Sequence, residues 1–127
     1  MRSTGIRPWA LQVTAEGLAA AVADAVAEFG AEDGTLAVVA PPSRVDALAA
    51  LLPDSSADLT SGPVVLPPAG AKGLEFDSVL VVDPAGIVAE GVRGHNDLYV
   101  ALTRATQRLG VVHAGNLPTE LHGLQAR

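Results

Sequence analysis

The chain has 127 residues, a net charge of −6 and no cysteine. This length favours a single domain with an ordinary core. The lack of cysteine excludes disulfides, thiolate metal sites and thiol nucleophiles, and the acidic balance argues against a stand-alone nucleic-acid binder, whose surface would be basic. The first residues lack the apolar core of a signal peptide, and no apolar run is long enough to cross a membrane. We therefore expect a cytoplasmic domain with no membrane partner.

The first half of the chain alternates between strand and helix patterns. Residues 7–13 are apolar enough for a short strand, and Thr14 is a plausible N-cap for a helix over 15–29. The continuous apolar run 35–40 is typical of a strand that is covered on both faces. Ser43 then caps a short helix.

The second half continues the alternation. Strands are predicted at 63–67, near 78–83 and at 108–114. Residues 84–94 have the composition of a loop or one short helical turn, and a helix is predicted to start at Asn96 or Asp97. Residues 117–124 are expected to form a short terminal helix.

The resulting order, β-α-β-α-β-β-α-β, predicts the fold class. Apolar strands joined through helices by short connections form a mainly parallel sheet with helices on both faces. The sequence shows no internal repeat and no second domain. The expectation is a single α/β domain, an architecture that fits many functions.

The stretch 69–83, AGAKGLEFDSVLVVD, combines charged residues with an apolar strand. It carries the only lysine of the chain, Lys72, followed closely by Glu75 and then by an apolar strand. Polar groups held just outside a buried strand suit a ligand site at the edge of an α/β sheet. Taken alone, however, these two charges fit a solvated turn better, and Arg104 further along is equally an ordinary charge on a helix surface.

Two segments carry a resemblance to a known family. KGLEFDSVLVV (72–82) resembles motif V of superfamily 1 helicases of the UvrD/Rep type, and DLYVALTRATQRL (97–109) resembles their motif VI. With the flanking strands, the resemblance covers roughly residues 63–114. It implies that residues 1–127 are the C-terminal RecA-like motor domain of a larger protein, with 1–13 as a partly ordered entry segment.

The resemblance also implies roles for individual residues. Arg104 would be the arginine finger that reaches the γ-phosphate of ATP, and such fingers are worth about 10³–10⁵ in rate. Glu75 would accept a hydrogen bond from a ribose hydroxyl, while Lys72 and Gly73 would shape the loop that senses the nucleotide. Tyr99 would line the same ATP cleft, with an ordinary core aromatic as the alternative.

ATP and Mg²⁺ would be bound mainly by the N-terminal RecA-like domain of the same protein. The present chain has no GxxxxGK[ST] phosphate loop. Asp83 follows four apolar residues as a Walker B aspartate does, but Pro84 replaces the second acidic residue, so Asp83 is predicted to cap the next turn instead. The three histidines show no ligand spacing, and no metal site is predicted. The chain alone is therefore expected not to hydrolyse ATP.

The track-facing positions depart from the family pattern. Pro67 and Ala69 stand where DNA-translocating members carry a threonine and a histidine that touch single-stranded DNA, and Thr103 is either a support for Arg104 or an ordinary helix hydroxyl. Three hypotheses stay open: a DNA helicase or translocase, a helicase-like ATPase that recycles bacterial RNA polymerase, and a non-catalytic RecA-like interaction module. The amino-acid sequences of both motifs resemble those of the polymerase-recycling ATPases.

Overall fold

The computed structural model describes residues 8–30, 35–51, 63–90, 93–115, 121 and 125–126. In chain order the elements are β1 (Trp9–Gln12), α1 (Leu18–Gly30), β2 (Leu36–Val39), α2 (Pro42–Leu51), β3 (Val64–Leu66), α3 (Pro68–Ala71), β4 (Phe76–Val82), α4 (Pro84–Glu90), α5 (Gly94–Leu102), β5 (Ala105–His113) and β6 (Gln125–Ala126). The described strands form one sheet in the order β3-β2-β4-β5-β1-β6. Every pairing between them is parallel.

The sheet is covered on both faces because β2 and the second half of β4 are continuously apolar. In β4, Val79 and Val81 point into one core cluster, while Leu80 and Val82 point into the other. Helices α1 and α2 pack on the second cluster, and α3, α4 and α5 pack on the first. The predicted fold class, a parallel α/β sheet with helices on both faces, is confirmed.

A parallel sheet has two chemically distinct edges, because all strands start at one and end at the other. We call the first the amino edge, defined by the residues that precede the strands, such as Thr35, Glu75 and Arg104. The second is the carboxyl edge, defined by the residues that follow them, such as Pro41 and Asp83. The functional residues predicted from the sequence divide between these two edges.

Several predicted elements differ from the observed ones in their bounds. Helix α1 begins at Leu18, three residues after its predicted start, and Thr14 caps the turn before it, since its Oγ1 accepts from Gly17 N at 3.0 Å. Residues 68–71 form the single turn α3, because Pro68 has the fixed φ of a first helical residue. For the same reason Pro84 starts α4, which is a seven-residue helix rather than a loop or short turn.

Other differences are small. Helix α5 begins at Gly94, two residues before the earlier of the two predicted starts. Strand β5 begins at Ala105, three residues before its predicted start, and β6 has no counterpart among the predicted elements. The terminal helix predicted over 117–124 lies outside the described residues except at Leu121.

Candidate functional site

The loop that precedes β4 presents two charged side chains to solvent. Helix α3 ends at Ala71, Leu74 N donates to Ala71 O at 3.0 Å, and Lys72 and Glu75 are both exposed. Between them Gly73 has a φ of +81°, in the left-handed region that only glycine adopts without strain. A Cβ built on Gly73 would have no neighbour within 4 Å. Backbone conformation, not crowding, therefore requires glycine at this position.

The segment that precedes β5 carries Arg104. Helix α5 ends at Leu102, and Thr103 closes it: its Oγ1 donates to Tyr99 O at 2.9 Å and lies 3.2 Å from Val100 O. The polypeptide then turns directly into β5, so Arg104 occupies the last position before the sheet. The end of the helix and the start of the strand together fix its backbone.

These two segments meet at the amino edge of the sheet. Strands β4 and β5 are paired in parallel with Phe76 opposite Ala105, so the residues just before them, Glu75 and Arg104, are neighbours across the sheet. A backbone hydrogen bond joins the two segments, because Phe76 N donates to Arg104 O at 2.9 Å. The structure thus makes the backbones of Glu75 and Arg104 neighbours, although the two residues are 29 positions apart in the sequence.

The Arg104 side chain is held by two hydrogen bonds from its guanidinium. Nη1 donates to Leu74 O at 3.3 Å, and Nη2 donates to Thr103 Oγ1 at 3.1 Å. Its Nε is buried and has no partner among the described residues. A guanidinium carries five N–H donors, so this one is positioned by the protein and still retains donors for a ligand. An unpaired buried donor is costly, which favours an incoming acceptor.

An irregularity follows immediately in β5. One residue lies between Phe76 and Ser78 in β4, but two lie between their partners Ala105 and Arg108 in β5. The extra residue is a β-bulge, a feature that re-aims nearby side chains and is common beside functional sites. Thr106 Oγ1 donates to Phe76 O at 3.3 Å across this bulge. The irregular stretch begins one residue after Arg104.

The remaining predicted site residues do not all lie at the amino edge. Tyr99 is 66% exposed, so the alternative that it is a core aromatic is wrong. Thr103 bonds to the Arg104 guanidinium, which agrees with the predicted supporting role. Pro67 directly follows β3 and therefore belongs to the carboxyl edge, and Ala69 is exposed on α3. Neither of these two side chains can donate a hydrogen bond.

The carboxyl edge holds the residue that sequence reasoning rejected as a Walker B aspartate. Asp83 Oδ1 accepts from Gly86 N at 3.3 Å, and Asp83 Oδ2 accepts from Arg44 Nε at 2.9 Å. It has a φ of 53°, a conformation that aspartate tolerates better than most residues. Asp83 therefore caps the turn that starts α4, as the sequence predicts.

A pair of hydrogen bonds at the carboxyl edge, between Ser43 and Glu90, was not predicted from the sequence. Glu90, the last residue of α4, accepts from Ser43 N at 3.0 Å and from the Ser43 hydroxyl. These hydrogen bonds, with a smaller contribution from the charge of Arg44, hold the pKa of Glu90 below its ordinary value. Nothing in the local sequence pairs two residues 47 positions apart, since the contact depends on how α2 and α4 meet.

The described residues offer no cluster for a metal ion. No group of three histidine or acidic side chains lies together in that part of the chain. His113 is buried and its Nδ1 lies 2.8 Å from Gly115 O, a local backbone contact. His122 and the side chain of His95 lie outside what the structure describes. Within the same residues, no helix is long and apolar enough to cross a membrane.

Comparison with known proteins agrees with the two motifs. Residues 66–112 match the family of the UvrD-like helicase C-terminal domain, a span that includes both the loop before β4 and Arg104. The fold is similar to a solved structure of the C-terminal domain of a possible DNA helicase from Lactobacillus plantarum WCFS1. The TM-score is 0.70, with 26% identity over 91% of this chain and 78% of that one. No curated protein matches the chain. The resemblance to UvrD-type helicases is confirmed, whereas the resemblance to polymerase-recycling ATPases stays a prediction.

Proposed function

From the premise that this chain carries a UvrD-like helicase C-terminal domain, we propose that it is the second motor domain of an ATP-dependent superfamily 1 helicase-like protein. In this proposal Arg104 is the arginine finger and residues 72–75 are the nucleotide-sensing loop. The two would face an ATP molecule held mainly by an N-terminal RecA-like domain of the same protein. The chain would thus provide one wall of an ATP site between two domains.

The observation that carries the proposal is the attachment of Arg104 to the neighbouring loop. Its guanidinium donates to the carbonyl of Leu74, one residue before Glu75, and to the hydroxyl of Thr103. A finger positioned in advance loses little side-chain freedom when it meets the phosphate. Because the guanidinium is planar and permanently charged, it can offset the negative charge that develops on the transferred phosphoryl group.

The loop residues fit the rest of the nucleotide. Glu75 is exposed, and its carboxylate is a suitable acceptor for a ribose hydroxyl; Lys72 is exposed beside it as a donor to phosphate. Magnesium, when bound with ATP, would neutralise part of the charge on the phosphates. The described residues contain no group of metal-ligating side chains, so in this proposal the N-terminal domain holds the ion.

The experiment is ATP hydrolysis by the full-length protein with Arg104→Ala. Loss of a finger is worth about 10³–10⁵ in rate, so we expect kcat to fall by at least about a hundredfold. Arg104→Lys should recover little, because an ammonium cannot grip two oxygens. The control is Arg93→Ala, an exposed arginine at the start of the same helix, α5.

Each outcome has a clear meaning. If Arg104→Ala retains full ATPase activity in a folded protein, the motor proposal is wrong and the interaction-module hypothesis gains. A loss in Arg104→Ala with none in Arg93→Ala supports a specific role for that guanidinium. An equal loss in both variants would also contradict the proposal, since it would point to a general effect of removing positive charge.

The nature of the track is a separate proposal. Pro67 and Ala69 stand at the positions predicted to face the track, and neither side chain can donate a hydrogen bond to phosphate or base. The lack of donors at these two positions favours a protein substrate, and RNA polymerase is the candidate implied by the amino-acid sequences of the motifs. Stimulation of the full-length ATPase by single-stranded DNA would instead support a DNA helicase. Stimulation by RNA polymerase, with none by DNA, would support the recycling ATPase.

A further inference from the structure

The segment that carries Arg104 is attached to β4 at two points of one buried residue. Phe76, the first residue of β4, is only 2% exposed and packs in the core cluster covered by α3, α4 and α5. Its N–H donates to Arg104 O at 2.9 Å, and its carbonyl accepts from Thr106 Oγ1 at 3.3 Å. The core fixes Phe76 in place, so these two bonds hold the backbone on both sides of Ala105.

The β-bulge in β5 explains why the second of these attachments matters. Thr106 is one of the two residues between Ala105 and Arg108, where β4 has only one residue between the corresponding partners. At a bulge the ladder of backbone hydrogen bonds is locally disrupted and the bulged strand bends. The path of β5 is therefore less strictly set by its ladder here than elsewhere. The hydroxyl of Thr106, a half-buried residue, supplies a further bond between the two strands at this point.

The other end of Arg104 is held separately. Its guanidinium donates to Leu74 O and to Thr103 Oγ1. Leu74 lies two residues before Phe76, so the guanidinium and the backbone of Arg104 are both attached to the same short stretch of chain. A shift of residues 104–106 along β4 would move the guanidinium relative to this stretch. A displacement of about 1 Å in a group that acts on the reacting atoms can cost about a hundredfold in rate.

We propose that Thr106 is a positioning residue for the proposed ATPase reaction. Through Phe76 O, its hydroxyl fixes the backbone from which Arg104 reaches the transferred phosphoryl group. Thr106 itself contacts neither the nucleotide nor the metal ion. This inference rests on the proposed function of Arg104. It predicts that removal of the hydroxyl lowers kcat and leaves the KM for ATP nearly unchanged, because a finger acts chiefly in the transition state.

The test is ATP hydrolysis by the full-length protein with Thr106→Val. Valine keeps the size and β-branching of threonine and removes only the hydroxyl. We expect kcat to fall about tenfold, since a displaced finger loses part of the effect that Arg104→Ala removes entirely. Thr106→Ala, which also lacks the hydroxyl, should lose at least as much. Thr106→Ser keeps the hydroxyl and should stay within about threefold of the wild type.

A double-mutant cycle distinguishes positioning from a general loss of activity. In Arg104→Ala no guanidinium is left to position, so adding Thr106→Val should change the residual kcat by less than about twofold. The matched control is Thr35→Val, which removes a hydroxyl at the same edge of the sheet. Thr35 Oγ1 donates to Asp77 Oδ2 at 3.3 Å, on the side of β4 that faces β2, so this variant should keep the kcat of the wild type. Circular dichroism at the assay temperature would confirm that the compared variants are folded.

The outcomes separate this inference from the proposed function. Three results would overturn the inference alone, if Arg104→Ala has lost activity: wild-type kcat in Thr106→Val, the same proportional loss with and without Arg104, or an equal loss in Thr35→Val. Wild-type activity in Arg104→Ala would instead overturn the proposed function, and this inference with it. A loss in Thr106→Val that serine restores, and that disappears in the Arg104→Ala background, supports the positioning role.

Discussion

At the carboxyl edge of the sheet, charged groups bond to other side chains, whereas the charged residues of the loop before β4 face solvent. Asp83 is paired with Arg44, and Glu90 is bonded to Ser43, so α4 is tied to the start of α2. At the amino edge Lys72 and Glu75 are exposed, and Arg104 bonds only to a carbonyl and a hydroxyl of its surroundings.

This contrast reverses the usual arrangement of open α/β sheets. Ligands in such folds commonly bind outside the carboxyl ends of the strands. Here the ion pair of Arg44 and Asp83 lies at that end, and the residues that we propose to face the nucleotide precede β4 and β5 at the other end. The difference indicates that changes at the carboxyl edge should alter stability, while changes at the amino edge should alter function with little loss of stability.

The largest effect on stability is expected from Gly86→Ala at the carboxyl edge. A Cβ on Gly86 would lie 2.4 Å from Asp83 Oδ2 and 2.8 Å from Pro41 Cγ, so the cap and the start of α2 would have to move apart. Overpacking of this kind typically costs about 1–3 kcal/mol. Urea denaturation would measure the free energy of unfolding, with Gly115→Ala as the control because nothing lies within 4 Å of its Cβ position. Equal stability of the two variants would contradict the close packing of this edge.

A smaller effect is expected when Asp83 itself is changed. Asp83→Ala removes the acceptor for Gly86 N and leaves an alanine at a φ of 53°, which together should cost about 1–2 kcal/mol. Asp83→Asn keeps an oxygen acceptor and tolerates this φ, so it should lose only the ion pair with Arg44, worth about 0–1 kcal/mol at such exposure. Thermal unfolding of both variants would separate the two contributions. A larger loss for asparagine than for alanine would show that the charge matters more than the cap.

Some features of the two edges could be predicted from the sequence and others could not, and the difference has physical reasons. Strand and helix patterns depend on local periodicity, so the order of elements and the parallel sheet followed from it. Arg104 and Glu75 were assigned to one site by the resemblance to motifs V and VI, because the local pattern alone left Arg104 as a charge on a helix surface. In the structure each residue directly precedes one of two neighbouring parallel strands. The role of Asp83 was also local, since its capping partner Gly86 is three residues away.

What could not be predicted were contacts set by packing between distant elements. The bonds between Ser43 and Glu90 require α2 and α4 to meet over the ends of β2 and β4, and no local pattern encodes this meeting. The position of the Trp9 indole depends on the absence of a side chain at Gly110, which lies on β5, four strands later in the sequence but adjacent to β1 in the sheet. Both features follow from the sheet order, which periodicity leaves open.

The smallest expected effect is a dependence of stability on acid pH through Glu90. Its pKa is lowered in the folded state, chiefly by the hydrogen bonds from Ser43. A carboxyl group with a lowered folded pKa stabilises the protein above its unfolded pKa, about 4.3 for a glutamate, and that contribution is lost as the pH falls through the folded value. In Glu90→Gln the loss of stability between about pH 5 and pH 3 should therefore be less steep than in the wild type.

Glu16→Gln, which removes an exposed carboxyl group before α1, is the control for the change in net charge. If denaturation shows that the free energy of unfolding of Glu90→Gln depends on pH as steeply as that of the wild type, the hydrogen bonds between Glu90 on α4 and Ser43 on α2 contribute nothing to stability. The carboxyl edge would then be held by Asp83 alone.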